Sequence, residues 1–398
     1  MRRLFIYVVL TTGIAMPATA QETPEGIRAG AFIIQPSVSL GVGYDTNIFL
    51  EETNEDASFV ATVSPRVNVI SDWNRHEVAL TAGGSYALIA DSSDDNAFQF
   101  DVGLSGLLDV TRAVGITGNI GYEFVSEARG EDDTGLGITE PVTSHNVSAG
   151  LGADVVFGRV RVSPFGGVLM RDFQDVNLIG GGVDNQDDRD RVEYNAGLEL
   201  GYSVRRGIEG FVRGQYGRIN FQEAVDDAGV NRDSDGWRVL AGVKVDLTRL
   251  IEASAGFGYE TRDFEDPTLS SVSGPSAELG VSWSITPLTT LNFDASRSFQ
   301  ETTITGSSVT NNTTLQFGVD HALLRNLDLG ATLTYALEDF EGINREDNLF
   351  GVRLKADWRV MRLLTLTPSY QFRLGDSNSA GEDYTDHRFF LTATYGFQ

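Results

Sequence analysis

The chain has 398 residues, of which 44 are glycine and none is cysteine, with 41% hydrophobic and 10% aromatic residues. The lack of cysteine excludes a disulfide framework, thiol chemistry and a lipid-attachment cysteine behind a leader. A formal net charge of −26 is far too acidic for a nucleic-acid-binding surface, so DNA and RNA are not expected as partners.

At the start of the chain, Arg2 and Arg3 precede an apolar run from Leu4 through Ile14, followed by Pro17, Ala18, Thr19 and Ala20. This order predicts a signal peptide over 1–20, cleaved before Gln21. Loss of Arg2 and Arg3 with the leader takes the charge from −26 to −28. The apolar run falls short of the roughly 20 residues that span a bilayer, and no later stretch reaches that length. Residues 21–35 read as a short periplasmic N-terminal segment, and 36–398 as the folded body.

From Pro36 onward one unit recurs, an alternating apolar and polar stretch. Val192, Tyr194, Ala196, Leu198, Leu200 and Tyr202 alternate with Glu193, Asn195, Gly197, Glu199, Gly201 and Ser203. Period two puts the two sets on opposite faces of a strand. The pattern predicts strands at 36–49, 58–71, 75–90, 96–109, 114–126, 145–157, 159–173, 191–204 and 208–221. It continues at 236–247, 251–264, 276–285, 288–300, 313–323, 327–337, 348–360, 363–375 and 387–397. No amphipathic helix of useful length lies between them to cover the apolar face, and lipid is the simplest cover. The expected fold is all-β: a transmembrane, up-and-down antiparallel β-barrel of about 18 strands, within a range of 16–18.

The connections alternate between two classes. Short, often basic turns fall at 72–74, 110–113, 158, 205–207, 248–250, 286–287, 324–326 and 361–362, and are assigned to the periplasmic rim. Longer acidic loops fall at 50–57, 91–95, 127–144, 174–190, 222–235, 265–275, 301–312, 338–347 and 376–386, and are expected outside. Both termini are then periplasmic. A β-propeller has a similar period, but its blades divide about 40 residues among four short strands, whereas this chain spends them on two strands long enough to cross a membrane. Pro65, Pro164 and Pro368 lie within strands and are expected at bulges. Tyr44, Tyr86, Tyr122, Tyr216, Tyr259, Tyr335 and Tyr370 near one set of strand ends, with Trp283 and Trp358 towards the other, suit interfacial girdles.

If the apolar set faces lipid, the opposite set lines the lumen. It includes Asp101, Glu123, Asp154, Glu193, Glu199, Glu209, Arg213, Arg238, Lys244 and Asp246, and further on Glu252, Glu260, Asp294, Asp320, Asp328, Arg353, Lys355, Asp357 and Arg373. Charge this dense needs water, and about 18 strands leave room for it. The alternative is a wall of mutually neutralising pairs behind a plugged lumen. Arg213, Arg238 and Lys244, and further on Arg353, Lys355 and Arg373, are candidates for basic tracks.

No metal pair or nucleophile elbow surrounds the four histidines, His76, His145, His321 and His387, which read as isolated rim or loop residues. Pairs such as Asp386 and His387 set a carboxylate beside a histidine, residue types that outer-membrane hydrolases use on barrel walls. Carboxylates at Asp184, Asp187, Asp188 and Asp190, and at Glu131, Asp132 and Asp133, lack EF-hand spacing and read as solvated loops. No enzyme, cofactor or metal is expected.

The opening segment Gly41 Val42 Gly43 Tyr44 Asp45 Thr46 Asn47 Ile48 Phe49 is followed by an acidic loop, then by Ser64 Pro65 Arg66 Val67, Ser71 Asp72 Trp73 and Arg75 His76. This order resembles the putative β-barrel porin-2 family, and the likeness continues through Asp109 Val110 Thr111 Arg112 and Gly121 Tyr122 Glu123. Gly43, Tyr44, Asp45, Asn47 and Phe49 carry it most clearly. The last strand alternates through Phe389, Leu391, Ala393, Tyr395 and Phe397, but Gln398 follows the final aromatic, a departure from the barrel-assembly signal.

The resemblance implies an outer-membrane barrel of a Gram-negative bacterium that passes a secreted exopolysaccharide or capsule polymer, with no catalytic residues to carry over. Expected partners are outer-membrane lipid and lipopolysaccharide, periplasmic polysaccharide-export proteins, and the polysaccharide or small hydrophilic solutes. The alternatives are a general diffusion porin, and a non-conducting surface barrel that binds partners or cations through its acidic loops.

Overall fold

A computed structural model describes residues 26–130, 137–248, 250–302, 304 and 306–397. The expected signal peptide, the carboxylates at 131–133 and Gln398 lie outside the described residues. Nineteen strands share one antiparallel sheet. One of them, Ile27–Ala29, is a three-residue strand that pairs with Phe32–Ile34 at the rim. The other eighteen make the barrel.

They are β1 Phe32–Asp45, β2 Ser58–Ser71, β3 Glu77–Ile89, β4 Ala97–Thr111, β5 Val114–Glu127 and β6 Val142–Phe157. Next come β7 Val160–Phe173, β8 Arg191–Arg205, β9 Ile208–Phe221, β10 Ser234–Thr248, β11 Ile251–Phe264 and β12 Val272–Thr286. The last are β13 Thr289–Gln300, β14 Thr310–Leu324, β15 Leu327–Phe340, β16 Arg345–Met361, β17 Leu364–Ser377 and β18 Tyr384–Gly396. Each pairs with the next, and β18 returns to β1 from Ser37 opposite Gly396 to Asp45 opposite Arg388. Closure leaves no edge, so the backbone polar groups are met within the sheet.

Alternation sets the two faces. In β8, Tyr194, Leu198, Leu200 and Tyr202 are exposed on the outside, while Glu193 and Glu199 are buried on the inside. The same outward set recurs around the barrel, with Leu40, Val42, Leu151, Val212, Phe257 and Leu391 all exposed. Such a belt is stable against hydrocarbon rather than water, at about 25 cal/mol for each Å² withdrawn. Tyr259 and Tyr86 lie towards one end of it and Trp283, Trp358 and Tyr395 towards the other, all exposed.

The connections fall into two sets. Turns as tight as Arg206 with Gly207 mark one rim, which also carries Phe32 and Gly396, the two ends of the barrel. The other rim carries the long loops, and these interlock. Ile138, Val142, Phe173 and Val176 bury one another, and Val272, Phe299 and Val309 form a second apolar cluster. The Gly381 N–H donates to the Glu52 carboxylate at 2.9 Å, tying the last loop to the first.

Two expectations change. The first strand spans Phe32–Asp45 rather than 36–49, so Thr46 through Phe49 belong to the loop. The prolines make no bulge: Pro65 stays in register opposite Val38, Pro164 opposite Leu198 and Pro368 opposite Leu391. Each lacks an N–H, and pairing is interrupted only with its other neighbour. Register shifts fall next to the tight turns instead, for example between Asp109 and Thr111 and between Ser203 and Arg205.

Candidate functional site

The inner wall has two unlike sides. On β7–β12 the inward charges form a packed layer centred on Glu199, which is 1% exposed. Its carboxylate accepts from the Lys244 ammonium at 2.6 Å, from Arg213 Nε at 2.8 Å and from the Arg161 guanidinium. Arg161 also reaches Asp154 at 3.2 Å, Ser163 at 2.6 Å and Glu209 at 3.1 Å. Arg213 crosses from β9 to β12 to meet Glu278 at 2.9 Å. Phe211 underlies both cations, 5.4 Å from the Arg213 guanidinium and 5.2 Å from Lys244 Nζ. Towards the long loops Glu193 accepts from Arg171 at 3.2 Å and Arg191 at 3.0 Å, while Arg238 donates to Ser276 at 2.7 Å and lies 3.8 Å from Glu260.

On β13–β18 and β1–β4 the inward residues are mostly small and hydroxylated; Asp45, Arg373, Asp386 and Arg388 are buried together towards the long loops, while at mid-height the charges stand in the open. Arg66 and Asp101 pair at 2.9 Å with side chains 46% and 26% exposed. Lys355 pairs with Asp357 at 2.9 Å, Arg353 donates to Gln371 at 3.2 Å, and Asp320 accepts from Asn292 at 3.3 Å. Asp328 meets Arg359 at 2.6 Å. Asp294 is exposed on this wall, and Glu123 on β5 stands opposite Asp101 in register; Asp246 on β10 and Glu252 on β11 are exposed on the other wall, near the short-turn rim.

The nineteen residues singled out in the sequence therefore share one face but not one environment. Arg213, Arg238 and Lys244 make no basic track, because each is capped by a carboxylate. Arg373 parts from Arg353 and Lys355: it is buried against Asp386 at 2.7 Å. Sequence reasoning missed Arg66, Arg161, Arg171, Arg191 and Glu278. The signal was available, since continuing period two from Ser163 reaches both Arg161 and Arg171. Asp386 and His387 cannot act together, because consecutive strand residues face opposite sides. Asp386 points inward, whereas His387 bonds the Tyr370 hydroxyl at 2.9 Å on the outer face, as His145 does with Tyr122 at 2.8 Å.

The opening motif forms the closure seam. Asp45 accepts from Arg388 at 2.5 Å and from the Asn47 N–H at 3.0 Å. The Asn47 amide donates to the Glu51 carbonyl at 2.8 Å and to the Thr385 carbonyl at 3.1 Å, and accepts from the Glu51 N–H at 3.0 Å. Phe49 is buried beneath the Arg129 guanidinium at 4.2 Å, and Tyr44 packs outside on Phe59. A Cβ on Gly43 would lie 2.5 Å from the Phe389 carbonyl oxygen and 2.6 Å from the Phe390 ring. Gly43→Ala is thus expected to lower barrel stability by about 1–3 kcal/mol through overpacking, read as a lower temperature for converting the compact gel band to the unfolded one.

Asp190 ends the loop between β7 and β8, and its carboxylate accepts from the Phe173 N–H at 2.6 Å. Burial pushes this carboxyl up to about 6, helped by Asp172 and Asp187 and opposed by that N–H and by Arg191. The folded chain therefore holds a proton that the unfolded chain has already released. Stability here falls as pH rises from about 4 to about 6, and the penalty persists above that range. Limited proteolysis of the long loops is expected to run faster at about pH 8 than at about pH 5 beyond the protease's own pH response, and Asp190→Asn to remove the difference.

No curated protein sequence matches the chain. Among solved structures, the copper transporter OprC is similar at 13% identity over 94% of this chain and 82% of its own, TM-score 0.49. OpdK, an outer-membrane protein of Pseudomonas aeruginosa, is 11% identical over 91% of this chain and 98% of its own, TM-score 0.49. The siderophore receptor PiuA of Acinetobacter baumannii is 10% identical over 94% and 82%, TM-score 0.47. The family profile for putative beta-barrel porin 2 matches residues 22–397, nearly the whole length. The chain belongs to that family, and its closed eighteen-stranded fold is that of a porin-like β-barrel of the Gram-negative outer membrane.

Proposed function

We propose that the barrel is a water-filled, non-enzymatic channel through which a secreted polysaccharide leaves the cell. The observation that carries this reading is an inner face dominated by polar and charged side chains in a barrel of eighteen strands, a width that side chains alone do not fill. Ser39, Thr62, Thr332 and Thr392 bring hydroxyls to that face, groups that exchange hydrogen bonds with a sugar chain as water does. The acidic long loops then lie outside, and the short turns with both ends of the barrel face the periplasm, where export partners would deliver the polymer. Outer-membrane lipid and lipopolysaccharide surround the apolar belt.

Passage of small, cation-leaning hydrophilic solutes is the second reading. It is favoured by the exposed Asp246, Glu252, Asp294 and Asp320 on the inner wall. Deleting the gene in a strain without a redundant barrel is expected to abolish surface polysaccharide. Normal polymer on the surface, together with a cation-selective conductance of the purified barrel in planar bilayers, would replace the first reading by the second.

A further inference from the structure

We propose that the path through the barrel is off-centre, following the wall of β13–β18 and β1–β4, and that the pairs Arg66–Asp101 and Lys355–Asp357 are the charges a passing solute meets. This placement rests on the channel reading above. Three observations lead to it.

First, the β7–β12 wall is sealed at mid-height. Ser163, Glu199, Phe211, Arg213, Leu240 and Ser276 all point inward, and all are buried. Their ion pairs run sideways, Arg161 on β7 to Glu209 on β9 and Arg213 on β9 to Glu278 on β12. Side chains held flat in this way form a continuous layer at mid-height, leaving that side thicker, while Asp246 and Glu252 stand exposed beyond it near the short-turn rim.

Second, the mouth is covered over the same wall. Pairing of β12 with β13 stops at Ala277 opposite Arg297, while β13 stays paired with β14 as far as Gln300 opposite Thr310. The top of β13 peels away from β12 towards the lumen, where the inward Ser276 hydroxyl donates to the Arg297 carbonyl at 3.0 Å. Beyond it Glu301 is buried against Arg262 at 2.8 Å. Arg232 donates to the carbonyls of Thr302 at 2.9 Å and Ser307 at 3.1 Å.

Third, the opposite wall is thin. Its inward positions at mid-height include Gly41, Thr62, Gly83, Gly318, Thr332 and Gly351. Gly83 makes room for Arg66, whose guanidinium lies 2.9 Å from where a Cβ would sit. The hydroxyls of Thr62 and Thr332, which lie over this small-residue surface, suit an uncharged or weakly charged polyhydroxylated solute, and the two exposed ion pairs offer both signs of charge to it.

The absence of cysteine makes the test clean, because each variant carries a single thiol. Thr62→Cys and Thr332→Cys probe the thin wall; Ser163→Cys and Ser276→Cys probe the sealed one. Each folded barrel is exposed to a charged methanethiosulfonate, and modification is read by mass and by current in planar bilayers. The first pair is expected to be modified completely with a stepwise loss of current, the second to stay unmodified with current unchanged. Modification of the second pair, or equal modification of all four, would overturn the placement. A parent barrel that carries no current fails the channel reading instead, and the mass readout still decides where the water-filled space lies.

Discussion

Glu199→Ala is expected to destabilise the barrel by about 3–5 kcal/mol, the cost of leaving buried charges without their counter-ion. The carboxylate serves Arg161, Arg213 and Lys244 together and is almost wholly shielded from water. Its removal leaves three cations under one layer, with Asp154, Glu209 and Glu278 the remaining carboxylates among the described residues in contact with the two arginines and none on Lys244. Glu278→Ala is the control. That side chain is 24% exposed, and its partner Arg213 keeps Glu199, so a loss under about 1 kcal/mol is expected. Thermal conversion of the folded gel band ranks the two variants. If they are equally stable, Glu199 is no hub and the layer is held by apolar packing on Phe211 and Leu240. The Glu199 variant also adds one net positive charge to the wall, so reversal potentials should move towards anions.

The architecture was legible because a single-layer barrel writes its two faces directly into period two. Strands such as Ser58–Ser71, Ile208–Phe221 and Ile251–Phe264 begin and end where the alternation does. The opening motif was harder. Tyr44 through Phe49 continues an alternating pattern, but Asn47 satisfies backbone groups of the loop and of β18 with its own amide, which ends the strand at Asp45. Competition between a side chain and the ladder is not visible in hydropathy.

Pairing on the inner wall was hidden for a different reason. Period two assigns a face, while the partner of a charge depends on height along the barrel and on how far an arginine reaches sideways. Arg213 finds Glu278 three strands away, a contact no spacing within one strand could suggest. Charges that looked like a basic track became a neutral lattice, and Arg66, next to a proline in a strand of few charges, became one of the exposed groups of the thin wall.

The seam offers the second large effect. Asp386 is 0% exposed and faces Arg373 at 2.7 Å and Arg388 at 3.1 Å, with Asp45 as the only other carboxylate in the group. Two carboxylates and two guanidiniums balance, and they bridge β17, β18 and β1 where the sheet closes. Asp386→Ala leaves two arginines to one acid and is expected to cost about 3–5 kcal/mol. Asn47→Ala removes three neutral hydrogen bonds worth about 1 kcal/mol each. Adding Arg373→Ala to Asp386→Ala should recover part of the loss, because the orphaned cation goes with it, and the double-mutant cycle measures that coupling. Location matters as much as size. The β1–β18 contact joins residues far apart in sequence, and local opening starts where fewest other contacts hold an element in place. Hydrogen exchange in the Asp386 variant is therefore expected to rise first in 32–45 and 384–396, with 234–248 protected as in the parent. A uniform rise around the barrel would mean that closure is not held at this cluster, and that the motif shared with the family serves the loop rather than the seam.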